Sequence, residues 1–204
     1  QKASAAQASG RLAEEIVAVE IPRRKQDALI FDQDEFIKPG STMEGLAKLR
    51  GAFKKEGGSV TAGNASGLND GAGAMLIASE DGLKQHNLTP MARIVSSGVS
   101  GVEPRIMGIG PVEASKLALK RAGLTMADMD MLEFNEAFAV QTLACTRELG
   151  VADDDARINP NGGAIAIGHP LGMTGSRILQ SAAIELHKQN KKYALVAMCI
   201  GVGQ

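Results

Sequence analysis

The sequence predicts a layered α/β fold, and three observations carry that prediction. From Met91 onward, apolar runs of strand length alternate with stretches of helix length, the pattern of strands laid against helices. Within that region Pro111 stands in the first turn of one helix and Gly123 just past its last, a clear pair of start and stop signals. Hydrophobic residues make up 44% of 204 positions, enough apolar surface for a real core.

Taken in order, Gln1 to Arg11 reads as the last turns of a helix that stops at Gly10, followed by a short strand over Ile16–Ile21. The polar and basic stretch from Pro22 to Asp27 then reads as irregular, and its Arg23-Arg24-Lys25 run as a solvated loop. Thr61 to Gly73 is dense in turn formers and small residues. Residues 72–79 read as a buried strand and Glu80–Asn87 as a short helix. The regular part follows: strand Met91–Val99, helix Val112–Ala122, strand Met131–Phe134, helix Glu136–Leu149, helix Gly175–Lys188 and strand Tyr193–Cys199.

Composition excludes several function classes. Twenty-two basic and 23 acidic residues leave a formal charge of −1, so no bulk electrostatic attraction to nucleic acid exists. Aromatics are 3% with no Trp, which removes base-stacking platforms. Two cysteines more than fifty positions apart cannot form a disulfide scaffold, and a reducing, cytoplasmic compartment is expected. No apolar stretch approaches the roughly 20 residues that span a bilayer, so no membrane partner is expected. The chain opens without Met inside a helix and closes inside a glycine segment, and is expected to be cut at both ends.

Two glycine-rich segments each carry one reactive side chain. His169 lies in Asn159-Pro-Asn-Gly-Gly-Ala-Ile-Ala-Ile-Gly-His-Pro-Leu-Gly-Met-Thr-Gly175, and Cys199 in Met198-Cys-Ile-Gly-Val-Gly-Gln204. Glycine lets a ligand approach the main chain and leaves N–H groups free for a developing oxyanion, which is how acyl-transfer sites are built. Pro170 biases His169 away from helix, where its imidazole can exchange protons near neutral pH. Cys199 ends an apolar strand, and open α/β sheets bind ligands at the carboxyl ends of strands. Asn135 also follows a strand; it reads as a helix N-cap, with an amide able to orient a water or an oxyanion. Cys145 falls in mid-helix and reads as core. No second Cys or His stands at zinc-ligand spacing, and the glycines from Gly101 to Gly110 lack the ordered dinucleotide fingerprint. No metal is expected.

Five ordered motifs resemble the C-terminal half of thiolases: Val60-Thr-Ala-Gly-Asn-Ala-Ser-Gly-Leu-Asn-Asp-Gly71, Met107-Gly-Ile-Gly-Pro111, Asn135-Glu-Ala-Phe-Ala139, Asn161-Gly-Gly-Ala164 through Gly168-His-Pro170, and Cys199-Ile-Gly-Val-Gly203. The resemblance covers essentially all 204 residues. It implies a thiolase-like layered αβαβα fold, here mainly its C-terminal half with a mixed sheet between helices. Residues 1–67 would be the remainder of a loop domain covering coenzyme A, 68–90 would complete the N-terminal domain, and 91–204 would be the C-terminal domain without its last strand.

The same resemblance implies roles. His169 would activate a nucleophilic cysteine and face the thioester oxygen, Cys199 would exchange a proton with the acetyl methyl, Asn135 would hold an oxyanion-hole water, and Gly201 N–H would bind the acyl-enzyme oxyanion. Ser66 and Ala62 would touch the pantetheine arm, while Phe53, Met107 and Phe138 would line the acyl pocket. The resemblance further implies that coenzyme A and acyl-CoA would be substrates, that no cofactor would be tightly bound, and that the full-length enzyme would be a homodimer or homotetramer. The nucleophilic cysteine of the family has no counterpart here, so this chain alone is expected to be inactive. The competing reading is a non-catalytic acyl-CoA-binding or partner-binding module of the same fold. Leu171-Gly-Met-Thr174 and Gly201-Val-Gly-Gln204 resemble broader 3-ketoacyl or ketoadipyl enzymes slightly more than acetoacetyl ones.

Overall fold

A computed structural model describes residues 1–204. Its centre is a pair of parallel strands, β3 (Met131–Phe134) and β4 (Ala194–Ala197), in the register Leu132↔Leu195 and Phe134↔Ala197. A parallel bridge between Leu132 and Ile158 extends the pair on its other edge.

Because side chains alternate along a strand, β3 divides its residues between two faces. Leu132 and Phe134 join Val112, Met129, Cys145, Val151 and Leu195 in one apolar cluster. That face is covered by α4 (Gly110–Ala122) and α5 (Ala139–Glu148). Glu133 points the other way, where α7 (Leu171–Gln189) lies across both strands. The result is helix, sheet, helix, built by residues 104–204.

Outside α7 lies the opening of the chain, α1 (Lys2–Ala8) and the 3-10 turn Leu12–Glu14. Arg11 holds it there: Nε donates to Glu185 at 2.7 Å and Nη1 to Glu15 at 2.9 Å, while the Ser181 hydroxyl donates to Glu15 at 2.6 Å. The guanidinium and both carboxylates are almost wholly buried, so the charges are compensated rather than solvated. Helix α1 ends at Ala8 ahead of Gly10, as the sequence predicts.

Residues 16–103 form few regular elements. The strand expected over Ile16–Ile21 is only β1 (Val19–Ile21), paired antiparallel with β2 (Leu29–Phe31) in an exposed hairpin. Two short helices, α2 (Met43–Ala47) and α3 (Glu80–Gln85), each begin with a hydroxyl cap, Thr42 and Ser79.

Two expected strands are not formed. Residues 72–79 and 91–99 make no ladder bonds, and their large apolar residues stay in solvent, Leu76 at 79% and Ile94 at 60% exposure. A strand is made by its neighbour, and no segment of this chain lies beside either to complete the hydrogen bonds. The regular helices agree better: Val112–Ala122 is α4 almost residue for residue, with Gly123 left-handed past its end. The helix expected from Gly175 instead starts at Leu171, placing Thr174 inside its first turn. No helix is long and apolar enough to cross a membrane.

Candidate active site

The parallel register brings two candidate residues to the same end of the sheet. Asn135 follows Phe134 and Cys199 follows Ala197 by two, so both sit just past the carboxyl ends of adjacent strands. Asn135 N–H donates to the Ala197 carbonyl at 2.9 Å, continuing the ladder one step beyond the strands. Asn135 is 1% exposed and Cys199 is 8% exposed.

Asn135 is not the helix N-cap that its position suggested. Helix α5 begins at Ala139, and Phe138 stands at its cap with no side-chain bond. Between them, Phe138 is extended and residues 137–139 pair with the Asn64–Ser66 segment: Ser66 N–H donates to Ala137 O at 3.0 Å, and Ala139 N–H to Asn64 O at 2.9 Å. Relief from capping frees the Asn135 amide for the site.

His169 reaches that amide. Its Nε2 lies 3.2 Å from Asn135 Nδ2, and its Nδ1 lies 2.7 Å from the Thr174 hydroxyl. The loop that delivers it is anchored through Glu136, whose carboxylate accepts from Asn159 Nδ2 at 2.7 Å and from Ile165 N–H at 3.2 Å. That carboxylate lies against Gly163, where any Cβ would collide with it. His169 N–H donates to Gly67 O at 3.2 Å, so the loop at 60–71 is tied to the histidine as well.

Electrostatics set the protonation states. Burial and, after it, the positive charge of Arg177 hold the His169 imidazole below its ordinary pKa, so the ring is neutral at neutral pH. Burial pushes the Cys199 thiol up, keeping it protonated until a base takes the proton. Cys145 is fully buried and pushed up to about 11 by burial, and its Sγ–H donates to Gly108 O at 3.2 Å. It is core, as the sequence predicts.

The other candidates make local contacts of their own. Phe53 and Phe138 meet edge to face at 6.4 Å, and Met107 is half-buried on the turn whose next residue, Gly108, packs against Gln141 of α5. Ser66 is half-buried, its hydroxyl donating to Ala137 O at 3.2 Å. Ala62 and Gly201 are exposed. Gly201 belongs to a tight loop closed by Ile200 N–H to Gln204 O at 2.7 Å. In that loop Gly203, at φ +98, presses against the Val102 carbonyl, where a Cβ would not fit.

Sequence reading missed Thr174, Glu136 as an anchor, and the Arg177–Glu133 pair behind the histidine. The signal for Thr174 was a hydroxyl residue four positions after Pro170, within reach of a helix's first turn. Two buried polar atoms near the site have no protein partner, Asn135 Oδ1 and Asn69 Oδ1, and Gly168 packs against the Asn69 amide. No group of three or more His, Cys, Asp or Glu side chains is arranged to hold a metal ion.

Comparison with known proteins gives a consistent result. Residues 88–204 match the family model of the thiolase C-terminal domain and residues 1–81 that of the thiolase N-terminal domain. The chain is 57% identical over 204 residues to the beta-ketoadipyl-CoA thiolase of Acinetobacter baylyi, covering 100% of this chain and 51% of that protein. The crystal structure of human mitochondrial 3-ketoacyl-CoA thiolase superposes with a TM-score of 0.93 at 51% identity, over 100% of this chain and 50% of that one. A crystal structure of the same human enzyme in complex with CoA gives 0.92, over 100% and 49%. The chain thus spans about half the length of the relatives it matches.

Proposed function

The chain belongs to the thiolase family, and on that premise we propose that it supplies the proton-handling half of a thiolase site. The reaction is CoA-dependent cleavage of a 3-ketoacyl-CoA, or the reverse Claisen condensation of acetyl-CoA, through a cysteine acyl-enzyme. The observation that carries this reading is the His169–Asn135 contact, with Asn135 and Cys199 just past the ends of two adjacent parallel strands. A neutral imidazole can take the proton of an incoming thiol, and a buried protonated thiol can return a proton to a carbanion; the two steps need two separate groups. Asn135 Oδ1 suits a hydrogen bond from a water or substrate, since it is buried without a protein donor.

Within this reading Gly201 N–H serves the acyl-enzyme oxyanion, Ser66 and Ala62 the pantetheine arm, and Phe53, Met107 and Phe138 the acyl group. Residues 1–67 belong with the CoA-covering loop domain, 68–90 with the N-terminal domain and 91–204 with the C-terminal domain. Identity to a beta-ketoadipyl-CoA thiolase favours an acyl group longer than acetoacetyl. The acyl-accepting cysteine is proposed to come from the part of the relatives that this chain does not cover, because Cys145 is locked in the core.

The test is thiolysis of acetoacetyl-CoA and 3-oxoadipyl-CoA by two proteins. One is this chain; the other is a chimera joining residues 1–204 to the part of the Acinetobacter baylyi enzyme that they do not cover. Turnover by the chimera and none by the chain is the expected result. A chimera that binds CoA without turnover supports the binding-module reading instead, and an enzyme-like rate from the chain alone overturns the missing-cysteine argument.

A further inference from the structure

The hydrogen bonds around His169 single out one residue that the reading above leaves unused. Thr174 Oγ1 has one hydrogen and two close neighbours, the Pro170 carbonyl at 2.9 Å and His169 Nδ1 at 2.7 Å. A carbonyl can only accept. If the hydroxyl hydrogen turned toward Nδ1, two oxygens would face each other at 2.9 Å with lone pairs and no proton between them. In the arrangement that sends the hydrogen to Pro170 O, which also accepts from the Met173 and Thr174 N–H groups, the hydroxyl offers a lone pair to the ring and Nδ1 carries the proton.

The other side of the ring agrees. Asn135 Nδ2 stands 3.2 Å from Nε2, and in this orientation of the amide its nitrogen donates, which matches a lone pair on Nε2. Asn135 orientation is therefore linked to the Thr174 hydroxyl through the imidazole. Thr174 is itself fixed: it is 1% exposed, in the first turn of α7, whose Arg177 is paired with Glu133 of β3 at 3.3 Å. Strand β3 carries Asn135 one step beyond its end. One ion pair thus ties together the two elements that grip the ring from opposite sides.

We propose that Thr174 is a positioning residue that locks His169 in its Nδ1–H tautomer, so that Nε2 is the proton acceptor of the site. The role rests on the thiolase reading for its catalytic consequence, but the tautomer itself does not. Thr174 touches neither substrate nor the reacting atoms in this account. Its contribution is the identity of the nitrogen that accepts the proton.

Nitrogen-15 NMR of the histidine-labelled chain reads the tautomer directly, and kinetics of the chimera read its consequence. The chain should show the Nδ1–H form of His169 at neutral pH. Thr174→Val, which keeps the shape and removes the hydroxyl, should lose the single tautomer and lower kcat about 10- to 100-fold with KM little changed. Thr174→Ser should restore both. An Nε2–H form in the parent chain, or a Val variant with parental tautomer and kcat, overturns the proposal; should the Val variant not fold, the parent spectrum and the Ser variant decide. An inactive chimera beside an Nδ1–H spectrum sinks the thiolase reading alone. An active chimera beside an Nε2–H spectrum sinks the tautomer alone.

Discussion

Residues 104–204 and residues 16–103 each hold apolar segments that read as strands, yet those segments end in different states. The later region closes on itself, with Leu132 at 0% exposure and Phe134 at 1%. The earlier one leaves Leu76 at 79% and Ile77 at 65% exposure, with no ladder beside them. Both are apolar, strand-like sequences. The difference is the partner: β3 finds β4 within the chain, and residues 72–79 find no strand to pair with. Apolar patterning states what a segment wants to bury, and only the rest of the protein decides whether it can.

Function follows the same division. The histidine, the asparagine and Cys199 all sit in the self-supported region, while the loop residues proposed to meet CoA sit in the other. In the chimera, His169→Ala should lower kcat by about 10²- to 10⁴-fold, the range of a lost general base. Phe53→Ala, on the exposed loop, should raise KM by no more than about 10-fold and leave kcat alone, since it removes one edge-to-face contact. Equal effects from the two would erase the contrast.

Stability sharpens the comparison next. Leu132→Ala should cost about 2–5 kcal/mol in the chain alone, because it opens a cavity in the central cluster. Leu76→Ala should stay within about 0.5 kcal/mol in the chain alone and become costly in the chimera, where a neighbour can cover it. Urea midpoints of the five proteins, the chain with its two variants and the chimera with and without Leu76→Ala, measure both. A costly Leu76→Ala in the chain alone would show that the earlier region is already packed.

A smaller, pH-dependent effect belongs to the later region only. Burial raises Glu133 to about 7, with Arg177 opposing that shift in part. Its folded value therefore lies above its unfolded value of 4.5, the native state holds the extra proton, and stability falls as pH rises from 4.5 toward about 7. Glu133→Gln mimics the protonated acid and should flatten that slope. The denaturation midpoint of the parent relative to the variant should drop between pH 5 and pH 7; a constant difference would mean that Glu133 stays ionised throughout.

Much of the site was legible because glycine density and strand ends mark it locally. His169 between Gly168 and Pro170, Asn135 after β3 and Cys199 after β4 each follow from a few neighbouring residues. Thr174 and Arg177 were not legible, because their significance lies in contacts made across elements: Nδ1 of a ring five residues back, and Glu133 more than forty positions away. Asn135 was half legible. Its position at a strand end was right, and its capping role failed because Ala137 and Phe138 are used to pair with the Asn64–Ser66 segment before α5 begins. The fold divides in the same way, α4 and β3 being set by local signals and the strands at 72–79 and 91–99 by an absent neighbour.

Hydrogen exchange on the 204-residue chain and on the chimera, followed by mass spectrometry, tests this division most directly. Amides of 131–134 and 194–197 should exchange slowly in both proteins, while those of 72–79 and 91–99 should exchange at once in the chain and slowly in the chimera. Protection of 72–79 in the chain alone, or rapid exchange of 131–134 there, would contradict the account.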